Sequence, residues 1–282
     1  MKAQVTLTVP EAKALIAEAI ASRPDVAKAL AEGKILLKGG TTVAAVARQI
    51  LDCDLRISGR ISPRGTKATG GASEQPHSLL VERGNVRNID DCFADAVESL
   101  HSNDIAIIGA NALDIAGRAA MMLGRPLGGM VGQGLTGLMA QGCRIIIACG
   151  LEKLIPGSID EAVRAAGIFS TDWSMGMATG LAPLTGEVIT EKKALEMLAS
   201  VQCTVISAGG IHGAEGATTM VVEGEREQVS KAVQAVLAVK DATLAGCPVS
   251  YSECQSGNPG CAVHQSCAWR ATKGEKLLWP VK

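Results

Sequence analysis

The chain has 282 residues, a nearly balanced charge of 27 Lys and Arg against 28 Asp and Glu, and few aromatic residues: three Trp, two Phe and one Tyr. Nucleic-acid binding relies on clustered cations and stacking aromatic rings, so we expect no nucleic-acid partner. No apolar run reaches the length of a membrane span and the first residues lack a signal-peptide pattern, so we expect no membrane contact and a soluble, cytoplasmic protein.

The first part of the chain alternates short apolar strands with helices. The predicted strands cover residues 34–38, 55–61, 104–109 and 143–149, with a hairpin over 77–89 that turns near Gly84 and Asn85. The predicted helices cover residues 9–33, 42–51, 90–100, 135–141 and 158–167, with a further helix that ends near residue 123. This order predicts an α/β fold with a mainly parallel sheet, helices on both of its faces, and strands 34–38, 104–109 and 143–149 side by side.

The pattern changes after residue 167. Residues 168–186 have no clear period and are predicted to be a linker or a loop over the site. Predicted strands at 187–190, 203–208 and 217–224 and helices at 191–200 and 225–239 follow in a β-α-β-β-α order typical of a smaller ferredoxin-like α+β unit. A Cys-rich tail without periodicity ends the chain. We therefore predict three regions, at residues 1–167, 168–243 and 244–282.

The segment LLKGGTTVAAV marks the most promising turn. If a strand ends before Gly39 and a helix begins near Val43, the amides of Gly39, Gly40, Thr41 and Thr42 lie at a helix N-terminus, where an anion is favoured. The segment matches neither of the two common nucleotide-binding glycine motifs. An ordinary strand-to-helix connection is an equally good interpretation of this turn.

A second turn follows the strand at residues 104–109. Gly109, Asn111 and Asp114 come directly after it, and ligands in open α/β sheets bind beyond the carboxyl ends of the strands. The alternative is that Asn111 and Asp114 only cap the next helix.

Other loops add candidate residues. Arg60, Arg64 and Lys67 belong to or flank the polar loop 62–76 and can close over a bound anion, although a solvated surface loop explains them equally simply. Gly129 lies in the Gly-rich loop 124–134, which either approaches a ligand closely or joins two helices. Glu152 and Lys153 follow strand 143–149 and are expected at the same cleft.

Three segments in the first half carry a family resemblance: KILLKGGTTVAAVA, IIGANALD, and GGMVGQGLTGLMAQ followed by RIIIAC. Over about residues 30–155 they resemble the superfamily of ribose-5-phosphate isomerase, glucosamine-6-phosphate deaminase, the CoA transferases and the initiation-factor-2B-like isomerases. The resemblance implies that residues 39–42 bind phosphate or an acyl-CoA group. It also implies that the turn with Asn111 and Asp114 is one whose acids transfer protons. Asn111 departs from that pattern, which leaves Asp114 as the candidate base.

The tail contains Cys247, Cys254, Cys261 and Cys267, and His264 lies between the last two cysteines. Four thiolates can bind zinc or an iron–sulfur cluster, although no C-x-x-C pair is present. A disulfide-linked tail and unpaired thiols packed under a loop are the alternatives. The metal hypothesis predicts that at least three of the four sulfurs converge on one centre.

Two classes of function follow from these candidates. In the first, the protein is an isomerase- or transferase-like enzyme that acts on a small phosphorylated or CoA-linked metabolite. Its candidate catalytic residues are Asp114, Asn111 and Lys67, and its candidate ligand-binding residues are Gly39, Gly40, Thr41, Thr42, Arg64, Gly109, Gly129, Glu152 and Lys153. In the second, the protein is a non-catalytic sensor or metal-binding protein that works through the Cys tail. We expect a homo-oligomer in either case.

Overall fold

A computed structural model of the chain describes residues 1–68, 74–254, 257 and 259–270. Its strands are β1 (Lys2–Leu7), β2 (Lys34–Lys38), β3 (Gly59–Ser62), β4 (Gly65–Ala68), β5 (Ser78–Glu82), β6 (Asn85–Asn88), β7 (Ile105–Gly109), β8 (Ala112–Leu113), β9 (Ala119–Leu123), β10 (Arg144–Ala148), β11 (Gly180–Leu184), β12 (Glu187–Ile189), β13 (Gln202–Gly209) and β14 (Ala217–Glu223). Its α-helices are α1 (Val9–Ala21), α2 (Pro24–Glu32), α3 (Thr41–Leu51), α4 (Phe93–Glu98), α5 (Gly129–Gln141), α6 (Ile159–Ala165), α7 (Glu191–Leu198) and α8 (Arg226–Ala238).

The main sheet has six strands in the order β12-β10-β7-β2-β5-β6. Its first four strands are parallel, and β5 and β6 form the antiparallel hairpin predicted from Gly84 and Asn85. Leu37 pairs with Ile107 across β2 and β7, and Ile108 pairs with Ile147 across β7 and β10. The prediction that these three strands lie side by side and parallel is confirmed.

Helices cover both faces of this sheet, as the continuous apolar strands predicted. Leu37, Ile107 and Ile146 are fully buried against a core that includes residues of α1, α3 and α7. Leu36 and Ile147 point to the other face and pack with residues of α4 and α5. Successive strand residues alternate between faces, so each central strand contributes to both cores.

A second sheet has three antiparallel strands in the order β1-β14-β13. The sequence placed residues 187–190 in this smaller unit, which was wrong, because β12 pairs with β10 in the main sheet. The strand that completes the smaller sheet is β1, which the sequence patterns did not predict. Val5 of β1 and Met220 of β14 belong to the same hydrophobic core as Ile35 of the main sheet.

The predicted helix ending near residue 123 is also wrong. Residues 112–123 form the hairpin of β8 and β9, and β11 pairs with β9 to complete a small antiparallel sheet. Gly117 has a positive φ of 77° in the hairpin turn, a conformation that glycine adopts without strain. Only residues 59–61 of the predicted strand 55–61 are in a strand, and with part of the polar loop 62–76 they form a second hairpin, β3 and β4. Residues 69–73 of that loop lie outside the described residues.

No helix in the described part of the chain is both long and apolar enough to cross a membrane.

Candidate functional site

The Gly39–Thr42 segment forms a strand-to-helix turn at the carboxyl end of β2. β2 ends at Lys38, α3 begins at Thr41, and Gly40 is the N-cap with an extended backbone. The first helical hydrogen bond runs from the Ala44 N–H to the Gly40 carbonyl, at 2.7 Å. The amides of Thr41, Thr42 and Val43 therefore have no intrahelical acceptor, and no side chain caps this helix.

The two glycines of the turn differ in the space around them. A Cβ atom at Gly39 would lie 2.4 Å from the His77 carbonyl oxygen and 2.6 Å from the His77 Nδ1, so this side of the turn is closed. A Cβ atom at Gly40 would meet no heavy atom of the described chain within 4 Å. The helix N-terminus consequently opens on the Gly40 side.

Lys38, the last residue of β2, is a buried cation beside this turn. Its side chain is 7% exposed, and the described residues provide it with neither a hydrogen bond nor an ion pair. Burial alone lowers the pKa of Lys38 to about 8. A buried charge without a partner is costly, so the position is unusual for a purely structural lysine. The sequence patterns above do not single out Lys38, although a lysine at the end of an apolar strand, directly before Gly-Gly, is a signal in the sequence.

His77 closes the other side of the turn. The Nδ1 of His77 lies 2.8 Å from the Arg56 carbonyl and donates to it, since a carbonyl can only accept. Burial, and then the nearby charge of Lys38, lower the pKa of His77 to about 4. Asp90 accepts hydrogen bonds from the backbone N–H of His77 and Ser78 and pairs with Arg56 at 3.1 Å. A neutral imidazole is thus fixed beside the turn.

The second predicted turn has a mainly structural arrangement. Gly109 lies at the same sheet edge, where its Cβ position is 3.8 Å from Val43 of α3. Asn111 accepts a hydrogen bond from the Met122 N–H, at 2.9 Å, within the β8–β9 hairpin. The structure therefore brings Gly109 to the anion-site candidate, while the Asn111 side chain fixes the hairpin.

Asp114 is 2% exposed and accepts hydrogen bonds from the backbone N–H of Ala116, Arg118 and Ile159. It also pairs with the Arg118 guanidinium at 2.8 Å. The Ile159 N–H is the largest of the effects that lower the pKa of Asp114. Asp114 thus holds the β8–β9 turn and the first residue of α6. Its role in proton transfer stays a prediction from the sequence.

Glu152 and Lys153 follow β10 and belong to a largely buried cluster of charged side chains. The Glu152 Oε1 lies 2.9 Å from the Nζ of Lys13 and 3.9 Å from the Nζ of Lys153. Glu191, also buried, accepts hydrogen bonds from the Leu151 N–H at 2.9 Å and the Thr218 hydroxyl at 3.1 Å. Burial raises the pKa of Glu191 and lowers that of Lys13. This cluster lies where β10, α1, α7 and β14 meet.

Gly129 does not lie in a loop, as was predicted, but is the first residue of α5, with a positive φ of 60°.

The three cations of the β3–β4 region contact the Cys-rich tail. Lys67 is buried and pairs with Glu253, and Arg60 donates to the Ser252 carbonyl. The Arg64 guanidinium lies 4.1 Å from the ring centre of Trp269, and the Trp269 Nε1 donates to the Arg64 carbonyl at 2.8 Å. These contacts hold the hairpin and the tail together.

The tail is anchored at two further places. The Cys247 N–H donates to the Leu55 carbonyl at 2.9 Å, and the Ser250 hydroxyl accepts from the Ile57 N–H at 2.9 Å. The His264 Nε2 lies 3.2 Å from the Gly124 carbonyl, just beyond β9. The tail therefore runs from the segment beside the Gly39 turn to the end of the β8–β9 hairpin.

The tail cysteines are all within the described part of the chain. None of them forms a disulfide bond, so the disulfide-linked interpretation is not observed. Among the residues that the structure describes, no group of three or more His, Cys, Asp or Glu side chains is arranged to hold a metal ion. Burial lowers the pKa of Lys67, and the nearby Cys254 and Cys267 act against that shift. Metal binding by Cys247, Cys254, Cys261 and Cys267 stays a prediction.

Comparison with known proteins gave no match to a protein-family model, to a curated protein or to a solved structure. The superfamily resemblance therefore also stays a prediction.

Proposed function

We propose that this protein binds a small phosphorylated or carboxylated metabolite at the N-terminus of α3, beside Lys38. The observation that carries the proposal is the buried ammonium of Lys38, which has no partner in the described chain and directly precedes a turn with unpaired amides. Helix N-termini favour anions through their free N–H groups and the helix dipole. An anion at this place would give Lys38 the counter-charge that its burial requires.

The family resemblance adds a second element to the proposal, namely that the protein carries out isomerase- or transferase-like chemistry on the bound metabolite. Asn111 and Asp114, its expected acid positions, are engaged in holding the β8–β9 hairpin. The binding proposal rests on Lys38 and residues 39–42 and does not depend on this chemistry.

The direct test measures the binding of inorganic phosphate by calorimetry. Gly40→Val fills the open side of the turn with a side chain, so we expect phosphate affinity to fall by a factor on the order of 10 or more. Gly180→Val is a matched control. Gly180 lies in β11, and a Cβ atom there would be no closer than 4.0 Å to any neighbouring atom. Equal phosphate affinity in Gly40→Val and Gly180→Val would show that the turn is only a connection.

Our second proposal is that the Cys-rich tail binds zinc or an iron–sulfur cluster. It is supported by the sequence, which places Cys247, Cys254, Cys261 and Cys267 within 21 residues of the tail, and none of the four forms a disulfide bond. Metal and acid-labile sulfide analysis of protein purified without oxygen is the test. Metal that is lost when Cys261 is replaced by Ser supports the proposal, and wild-type protein without bound metal refutes it.

A further inference from the structure

We infer that Lys38 forms an imine with an aldehyde or ketone group of the anionic ligand, because its buried amine has no partner among the described residues and Lys38 directly precedes the turn that opens at Gly40. This inference rests on the proposed anion site and adds a covalent step and a ligand class to it. The ligand would be a small phosphorylated or carboxylated carbonyl compound.

The surroundings of Lys38 differ from those of the other lysine on the same strand. Lys34, at the opposite end of β2, donates to the Ser99 carbonyl at 2.8 Å and pairs with Glu82 at 3.6 Å. Lys38 is more deeply buried and has neither kind of contact in the described chain. Contacts of the described chain therefore hold the amine of Lys34, whereas none of them holds the amine of Lys38.

Imine formation requires the neutral amine, which attacks the carbonyl carbon. The nitrogen loses two protons, the carbonyl oxygen leaves as water, and a C=N bond replaces C=O, so no oxidant or reductant is needed. Burial lowers the pKa of Lys38 to about 8, so about half of this amine is neutral at pH 8. An ordinary lysine is neutral in less than about 1% of molecules at that pH. The amides of residues 41–43 would hold the anionic group while the carbonyl reacts.

The test uses the full chain, pyridoxal 5′-phosphate as an anionic aldehyde, and borohydride to reduce the imine to a stable secondary amine. Peptide mass mapping then locates the label. At pH 8 and low reagent concentration, we expect Lys38 to be labelled faster than Lys34 by a factor on the order of 10. Inorganic phosphate should slow the labelling of Lys38, and pyridoxal without its phosphate should label Lys38 much less.

Both lysines are compared within the wild-type protein, so the test does not depend on the folding of a variant. Labelling of Lys34 and surface lysines without labelling of Lys38 would overturn the imine inference. The inference would also be overturned if Lys38 were labelled at the same rate with and without inorganic phosphate, and at the same rate by pyridoxal as by pyridoxal 5′-phosphate. The anion site is judged separately, since phosphate binding measured by calorimetry does not require any covalent step.

Discussion

At the scale of single residues, Lys38 determines how stability should depend on pH. An unfolded chain holds its lysines at a pKa of about 10.4, while burial lowers the pKa of Lys38 to about 8 in the folded protein. Below pH 8 the folded state therefore bears the full cost of burying the charge. Between pH 8 and about 10.4 the unfolded state binds more protons, so the stability contributed by this group rises with pH.

Replacing Lys38 by Met should remove this cost and keep most of the side-chain volume. We expect the free energy of unfolding at pH 7 to rise by on the order of 2–3 kcal/mol, and the gain to shrink towards zero above about pH 10. Urea unfolding at the two pH values measures both effects. Lys34→Met is the matched control, and it should destabilise the protein because Lys34 has partners. A destabilised Lys38→Met variant at pH 7 would contradict this account of Lys38.

The two glycines of the turn should respond differently to alanine. Gly39→Ala places a methyl group 2.4 Å from the His77 carbonyl oxygen, and we expect a loss of about 1–3 kcal/mol in the free energy of unfolding. Gly40→Ala meets open space with an extended backbone, so we expect a change within about 1 kcal/mol. Thermal unfolding of the two variants distinguishes them. Similar losses at both positions would show that the turn is closed on both sides.

At the scale of secondary-structure elements, replacing Trp269 should weaken the contact between the β3–β4 hairpin and the Cys-rich tail. Trp269→Ala deletes the stacking with Arg64 and one hydrogen bond, which together contribute about 1–2 kcal/mol. We expect trypsin to cleave faster within residues 56–68 while the main sheet stays folded. Mass spectrometry of the fragments measures this cleavage. Phe169→Ala is the control, because Phe169 is 78% exposed. Equal cleavage of both variants would mean that other contacts hold the hairpin.

The elements that the sequence predicted correctly are those with a strong local pattern. β2, β7 and β10 are continuous apolar runs, and strands buried on both faces require such runs. The β8–β9 hairpin was missed because its small residues have no period and its turn depends on the buried bonds of Asp114. β12 was misassigned because three residues cannot indicate which sheet they join.

For the candidate site, too, only the residues with a strong local sequence pattern were predictable. Residues 39–42 were selected from a local pattern, a strand that ends at glycines before a helix. Lys38 was missed because its burial, and its lack of a partner among the described residues, depend on residues distant in sequence. The acid role expected of Asp114 came from a family pattern, and the folded chain surrounds that carboxylate with backbone amides.

At the scale of the whole molecule, the Lys13–Glu152 ion pair lies where the main sheet meets the smaller one. Lys13→Met alone should cost about 3–5 kcal/mol in the free energy of unfolding, because it leaves the buried Glu152 carboxylate with only the more distant Lys153 ammonium, at 3.9 Å. Adding Glu152→Gln removes that carboxylate charge and should restore a large part of that loss. Urea unfolding of the two single variants and the double variant measures the coupling. Purely additive losses would show that the two charges do not stabilise each other.

The pairing of β1 with β14 has a consequence for how the molecule is made. Thr6 of β1 bonds to Thr219 of β14, 213 positions later in the sequence. During synthesis the smaller sheet cannot form until β14 has left the ribosome. The edge of β1 therefore stays unpaired while the parallel strands are already assembling. Contacts between distant segments slow folding, because a long loop must close before they form. We therefore expect the smaller sheet to be the last part to gain protection in pulsed hydrogen exchange, and a chain released before β14 to expose an edge prone to aggregation.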